Sequence, residues 1–384
     1  MNRHLATLFL LVFGLTDLVG QETYERLDLA VEELYKSSEL PGFAIAIVNS
    51  DSVVFQKGYG YENLDQRIKF STKQRFNIAS ISKTFIGIGI MSLVEKGELT
   101  LDTPVNLLLP FTVNNPHTAT EITIKHLATH TSSIVDDNIG KKSWYLDSAL
   151  NLSKKEVGKD VYRTFSSWAE NKNTGLGDFL KASLTRDGDL YSKKRFAKTI
   201  PGESYEYSNL GAALGAYIIE LKTGISYDQY IEKLVAKEFD FPAGVWKHTA
   251  EQLPTSYFQN KVEIPAYRPI LYPTGGMMLS CEELSAYLSA MIKGFKGESK
   301  ILGPESFQKM MNVSEENGIF WEVRGDKIGH NGGNYGVISL MRFDKDTGMG
   351  TLFLTNISSY SSDHILKQVV NIWDTMQSFL GHHN

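Results

Sequence analysis

The sequence has one cysteine in 384 residues, Cys281, so no internal disulfide can staple it. A chain of this length can bury enough apolar surface to do without one. No catalytic-thiol signature surrounds Cys281, which therefore reads as a small buried apolar side chain. After the first twenty residues no uncharged apolar run approaches eighteen, so no membrane-spanning helix is expected in the mature chain. An excess of one charge is also missing: 39 Lys and Arg stand against 44 Asp and Glu, a net charge of −5, with the signs interspersed. Without a basic stripe to neutralise a phosphate backbone, nucleic acid is not an expected partner. There is no internal repeat and no low-complexity linker to mark an independent second domain. The strand-to-helix elbow Gly-x-Ser-x-Gly is absent as well, which argues against a hydrolase built on that turn.

What remains is the composition of an ordinary globular chain, 42% hydrophobic and 11% aromatic. Its length fits two average domains or one enzyme with a large insertion. The chain opens Met1-Asn2-Arg3-His4, continues apolar from Leu5 to Thr16, breaks at Asp17 and reaches Leu18-Val19-Gly20. That pattern reads as a secretory signal cleaved after about Gly20, which would make the mature protein, residues 21–384, secreted or periplasmic. A retained anchor is the competing reading, and the run is short for crossing a bilayer. No cysteine follows it, so it is not a lipoprotein signal.

From Thr23 to Ser38 the spacing of Leu27, Leu29, Ala30, Leu34 and Tyr35 predicts an amphipathic helix. Gly42 to Val48 and Val53 to Tyr61, separated by Asn49-Ser50-Asp51-Ser52, predict a β-hairpin. Three further strand-like runs occupy Gly318–Val323, Val337–Phe343 and Thr351–Thr355, and a final helix is expected from about Asp363 to Phe379. The simplest assembly is a single α/β (α+β) domain in which both ends of the chain build one sheet flanked by helices. That sheet region would span about 21–110 and 265–384, with a mainly helical, loop-rich insertion at about 111–264.

Phe76-Asn77-Ile78-Ala79-Ser80-Ile81-Ser82-Lys83 opens a run to Val94 that is apolar on nearly every side, as in a buried helix, with Gly97 as its C-terminal cap. Lys83, one turn after Ser80, faces the same side. A lysine inside such a helix loses hydration, which lowers its pKa and lets it serve as a base near neutral pH. The spacing Ser-x-x-Lys alone is weak, and a second copy occurs at Ser306-Phe307-Gln308-Lys309. Pro304-Glu305 before it marks a polar helix start, so there the serine reads as a cap and the lysine as a surface residue.

Two more segments carry candidate chemistry. In Tyr207-Ser208-Asn209, which follows a Pro201-Gly202 turn, Ser208 or Asn209 can cap the next helix. Capping leaves Tyr207 available to shuttle protons, if a nearby ammonium depresses its pKa, and the Asn209 amide available to bond a carbonyl. In Lys327-Ile328-Gly329-His330-Asn331-Gly332-Gly333 the glycines mark close approach of backbone, and His330 offers a donor beside them. An isolated histidine is more often structural.

The order Ser80-x-x-Lys83, Tyr207-x-Asn209, then His330-x-Gly332 on a strand near the C-terminus resembles the penicillin-recognising serine hydrolases, especially the branch of class C β-lactamases, D,D-carboxypeptidases, D-aminopeptidases and esterases. Ile122 to Ser132 and Tyr272 to Ser280 are similar to further segments of that family, and Ser280 with Glu283 forms a capping-box pattern. Two literal matches, Tyr61-Glu62-Asn63 and Lys222-Thr223-Gly224, fall out of the family order and are set aside. Two departures stand out: Thr131-Ser132-Ser133 replaces the usual Thr-Ser-Gly, and His330 stands where many β-lactamases carry Lys. The resemblance implies catalysis by Ser80, Lys83 and Tyr207, substrate held by Asn209 and His330, and an oxyanion hole from the backbone of Ser80 and Gly333 beside Gly332. It implies neither cofactor nor metal, and a small-molecule or peptide substrate. A catalytically silent peptide- or peptidoglycan-binding protein and a true class C β-lactamase are the alternatives. All three residues needed for catalysis are present.

Overall fold

The computed structural model describes residues 22–380 apart from 239, 242, 248–252 and 314–316. The expected signal segment and the terminal His382-His383 pair lie outside the described residues. Seven strands form one antiparallel sheet in the order Glu322–Arg324, Lys327–Asn334, Val337–Asp344, Gly350–Thr355, Gly42–Val48, Val53–Asn63, Ile68–Lys69. The Gly42–Val48 strand therefore sits between the C-terminal strand, with Phe43 opposite Thr355, and its own hairpin partner, with Phe43 opposite Tyr59.

All seven residues of Gly42–Val48 are buried, because both faces of the sheet are covered. Strand alternation sends Phe43, Ile45 and Ile47 to one face and Ala44, Ala46 and Val48 to the other. On the first face lie the N-terminal helix at 22–36, through Leu27 and Val31, and the helix Asp363–Leu380, through Ile365, Val369 and Ile372. Leu29, grouped above with the apolar stripe, points to solvent and is 68% exposed; Val31 takes the inward position. On the second face lie the helix Cys281–Phe295 and, against Lys327–Asn334 and Val337–Asp344, the turn Ala79–Ser82 that leads into the helix Lys83–Glu95. Each fully buried Ile, Leu or Phe contributes about 1.5–3 kcal/mol relative to exposure, so these two layers fix the sheet firmly.

The serine-bearing segment is a short 3₁₀ turn, Ala79–Ser82, that runs into the helix Lys83–Glu95. From Lys83 to Leu93 every residue of this helix is buried. It packs against the helix Asn209–Thr223 and the helix Pro304–Met311. At Gly87 an added Cβ would meet the Ile319 carbonyl oxygen at 2.3 Å, so glycine lets the backbone of a buried loop touch the helix. That loop corrects a sequence expectation. Gly318–Val323 is not one strand: only Glu322–Arg324 pairs, while Ile319, Phe320 and Trp321 turn into the core as a loop. The strand beside it is Lys327–Asn334, whose glycines concealed its period.

Residues 124–235 carry six helices, among them Ile124–Ala128, Lys159–Ala169 and Asn209–Thr223. Four of them share one continuous core with the serine helix, where Leu127, Leu180, Leu214 and Ile231 join the cluster that holds Ile86 and Ile90, whereas Val157, Phe165 and Trp168 of the other two pack with Phe258 and Ile264 in a separate cluster. Cys281 is buried at the start of its helix, and burial pushes its thiol up to about 12. Among the described residues no helix is long and apolar enough to cross a membrane.

Candidate active site

Ser80 is presented by a strained residue. Ala79, just before it, has φ +45, a left-handed conformation disfavoured for a residue with a side chain. Neighbouring contacts hold it there: Ala79 N–H donates to Asn77 Oδ1 at 2.6 Å, and Asn77 Nδ2 donates to the Gly275 carbonyl at 2.9 Å. From the sheet side, Gly332 approaches so closely that an added Cβ would lie 2.5 Å from the Ile78 carbonyl oxygen and 2.3 Å from Ser339 Oγ. Ser339 Oγ itself donates to that carbonyl at 2.8 Å. The strand Lys327–Asn334 thus rests directly on the turn that carries Ser80.

Lys83 is fully buried, and its Nζ lies 3.0 Å from Ser80 Oγ and 2.8 Å from the Thr274 carbonyl oxygen. Burial strips the ammonium of water and lowers its pKa to about 7; the Asp136 carboxylate acts in the opposite sense. A serine hydroxyl beside an amine that is about half uncharged at neutral pH is an arrangement able to release its proton.

Tyr207 stands over Lys83, with Nζ 5.0 Å from the ring centroid, and its hydroxyl is within hydrogen-bonding reach of Ser80. The residue as a whole is 37% exposed while its hydroxyl is turned into the interior. This differs from the sequence expectation of a depressed phenol. Burial raises its pKa and outweighs the Ser80 hydrogen bond, so the hydroxyl stays protonated. His130 fixes the tyrosine from both sides in the chain: its carbonyl accepts from Glu206 N–H at 2.6 Å and its Nδ1 accepts from Ser208 N–H at 3.2 Å. The His130 ring lies 4.5 Å from the Tyr207 ring and, being buried, has its pKa pulled well below the usual range.

Ser208 caps the helix Asn209–Thr223 by accepting from Gly211 N–H at 3.0 Å, as its position suggests. A residue that sequence reasoning missed completes this end. Asp136 accepts from Ser208 Oγ, Asn209 N–H, Asn209 Nδ2 and Leu210 N–H at 2.7–3.1 Å. Its carboxylate meets the positive end of the helix and faces Lys83 as well. Asp136 lies only four residues beyond the segment Ile122 to Ser132, yet an Asp-Asp pair in a loop carries no motif of its own. Asn209 spends one amide hydrogen on Asp136 and still borders the cleft beside Ser80.

His330 requires a second correction. It is buried, and its Nδ1–H donates to the Asn331 carbonyl oxygen at 2.6 Å. Burial lowers its pKa to about 4, against the pull of Glu322, so near neutral pH the ring is uncharged. With Nδ1–H committed and Nε2 only an acceptor, it has no donor for a substrate carboxylate or carbonyl. Gly333 is exposed and lines the cleft. The second Ser-x-x-Lys copy lies on the helix Pro304–Met311, where Gly303, not Ser306, is the cap and Lys309 is exposed. Lys222-Thr223-Gly224 ends its helix with Gly224 at φ +70, and Tyr61-Glu62-Asn63 lies in the hairpin.

Comparison with known proteins agrees with this fold. The chain is 25% identical over 371 residues to Protein flp of Staphylococcus aureus (strain MW2), covering 91% of this chain and 67% of that protein. It superposes on the octameric penicillin-binding protein homologue from Pyrococcus abyssi with a TM-score of 0.68 at 24% identity, covering 91% of this chain and 77% of the other. The D-amino acid amidase from Ochrobactrum anthropi SV3 gives 0.65 at 19% identity, with 92% and 99% covered. The Beta-lactamase family profile matches residues 27–370, nearly the whole chain, and with the sheet and helices arranged as described the chain belongs to the beta-lactamase family.

Proposed function

We propose that this chain is an exported serine hydrolase that acts through an acyl-enzyme on an uncharged ester or a D-configured amide. The observation that carries the reading is Ser80 Oγ at 3.0 Å from a buried Lys83 amine with a pKa of about 7. Ser80 Oγ attacks the substrate carbonyl carbon as its proton passes to Lys83 Nζ. The backbone N–H groups of Ser80 and Gly333 receive the developing oxyanion, each such donor contributing about 3 kcal/mol. As the bond to the leaving group breaks, the protonated Tyr207 hydroxyl supplies the leaving atom with a proton and regains one from the Lys83 ammonium. Water then enters, gives a proton back through the same pair, and frees the acid and Ser80. Asn209 borders the substrate with its remaining amide hydrogen.

The neutral, buried His330 supports uncharged substrates over penicillins, since it supplies no cation for a lactam carboxylate. Export rests on the N-terminal run alone. The test is labelling with a fluorophosphonate, alongside kcat/KM for p-nitrophenyl acetate and nitrocefin. The adduct is expected on Ser80 and lost in Ser80→Ala, and the ester is expected to exceed nitrocefin by about tenfold or more. Undiminished labelling of Ser80→Ala overturns the mechanism. A tenfold excess for nitrocefin makes the protein a β-lactamase instead.

A further inference from the structure

Beside Ser80 lies a cavity of about 390 Å³, within the range of small-molecule sites. Ser80, Asn209 and Gly333 open onto it, whereas Lys83, Tyr207 and His330 do not line it. The proton-handling groups and the cavity therefore approach the hydroxyl from different sides. Because Tyr207 is the group placed to protonate the leaving atom, the leaving group belongs on its side and the acyl part in the cavity.

The far wall is aromatic and apolar: Trp144, Trp168, Tyr335 and Tyr360, with Ile139 and Leu271. These rings support one another. Trp144 stacks on Trp168 with centroids 5.5 Å apart, Trp168 meets Tyr335 edge-on at 5.7 Å, and Tyr335 meets Tyr360 at 4.6 Å. Trp168 is anchored by its Nε1–H, which donates to the Gly140 carbonyl at 2.9 Å, so the wall is preformed. Tyr360, 59% exposed, leaves much of its ring bare at the mouth. Charge is scarce here. Asp136 already accepts four hydrogen bonds and Lys141 is exposed at the rim. No buried side chain of the lining carries a free charge aimed into the cavity.

We infer that this cavity is the acyl-side subsite and that it selects a bulky uncharged aryl or aryl-alkyl acyl group, an inference that rests on Ser80 being the nucleophile. Ring stacking on Tyr360 and Tyr335 favours an aromatic group over an aliphatic one of similar size.

The experiment compares p-nitrophenyl acetate, phenylacetate and the negatively charged hemisuccinate, each kcat/KM divided by the ester's spontaneous hydrolysis rate. Wild type, Tyr360→Ala, Tyr360→Phe and Ser80→Ala are assayed. Phenylacetate is expected to exceed acetate by about tenfold or more, and the hemisuccinate to fall below acetate. Tyr360 sits on a surface turn, and a thermal melt is expected to show Tyr360→Ala folded like wild type. Tyr360→Ala is expected to lower phenylacetate turnover about fivefold with acetate within about twofold, and Tyr360→Phe to retain the preference. Equal normalised values for phenylacetate and acetate, a hemisuccinate preference, or a parallel loss on all esters in Tyr360→Ala overturns the subsite. Ser80→Ala that hydrolyses these esters as well as wild type overturns the nucleophile itself, a distinguishable failure.

Discussion

Ser80-Lys83 and Ser306-Lys309 share one spacing, and in each the lysine follows the serine by one helical turn. Their surroundings differ. Lys83 opens a helix whose residues are all buried as far as Leu93, and it donates to a backbone carbonyl deep in the molecule, whereas Lys309 faces solvent. The sheet strand with Gly332 presses on Ile78 and Ala79, just before the first serine, while the second serine lies within an amphipathic surface helix. The contrast teaches that the motif supplies proximity and the tertiary environment supplies reactivity. An amine becomes a base at neutral pH only where water has been removed from its charged form.

The largest test of this contrast is removal of each lysine. Lys83→Met is expected to lower kcat/KM for an ester by about 10²–10⁴-fold, and Lys309→Met to leave it within about twofold. Equal effects at the two sites would break the comparison. A smaller test addresses the backbone. Gly332→Ala drives a Cβ against the Ile78 carbonyl and Ser339, and is expected to cost about 1–3 kcal/mol of stability in a denaturant melt and to depress activity by moving Ser80. Gly303→Ala, whose Cβ meets only the flexible Glu95 carboxylate at 3.4 Å, meets no backbone and is expected to cost less, about 1 kcal/mol at most through the poorer N-cap, with activity unchanged. The finest test is titration. With Lys83 near 7, kcat/KM for an uncharged ester should rise about tenfold per pH unit below that point and level off above it. Because Asp136 holds the lysine pKa up, Asp136→Asn should move the midpoint to lower pH, whatever its effect on the plateau. A midpoint that stays put or moves upward removes Asp136 from the electrostatics of the site.

Much of the site was legible because it depends on short-range rules. An apolar run with no polar face announces a buried helix, and Ser280 with Glu283 forms the capping box that its spacing announces. The family order placed Ser80, Lys83 and Tyr207 in one neighbourhood, and the structure brings them together. What escaped was long-range. Asp136 reaches the helix at Asn209 across 73 positions of sequence, a contact no window contains. Gly318–Val323 has strand composition but is consumed by core packing, whereas Lys327–Asn334 lacks the composition and was legible as a strand only through the family order that puts His330-x-Gly332 on one.

The sequence by itself determined where the serine helix runs, the caps at Ser208 and Ser280 and which residue types meet at Ser80, because periodicity, capping and i, i+3 spacing act within a few residues. The apolar helix also announced a lowered Lys83 pKa, but only the tertiary structure decided how far it falls and how His330 and Tyr207 are protonated. Burial lowers Lys83 to about 7 and His330 to about 4, and it keeps the Tyr207 hydroxyl protonated. Desolvation depends on every segment packed around a group, from the strand with Gly332 to the loop with Asp136, and so exists only once the whole chain has folded.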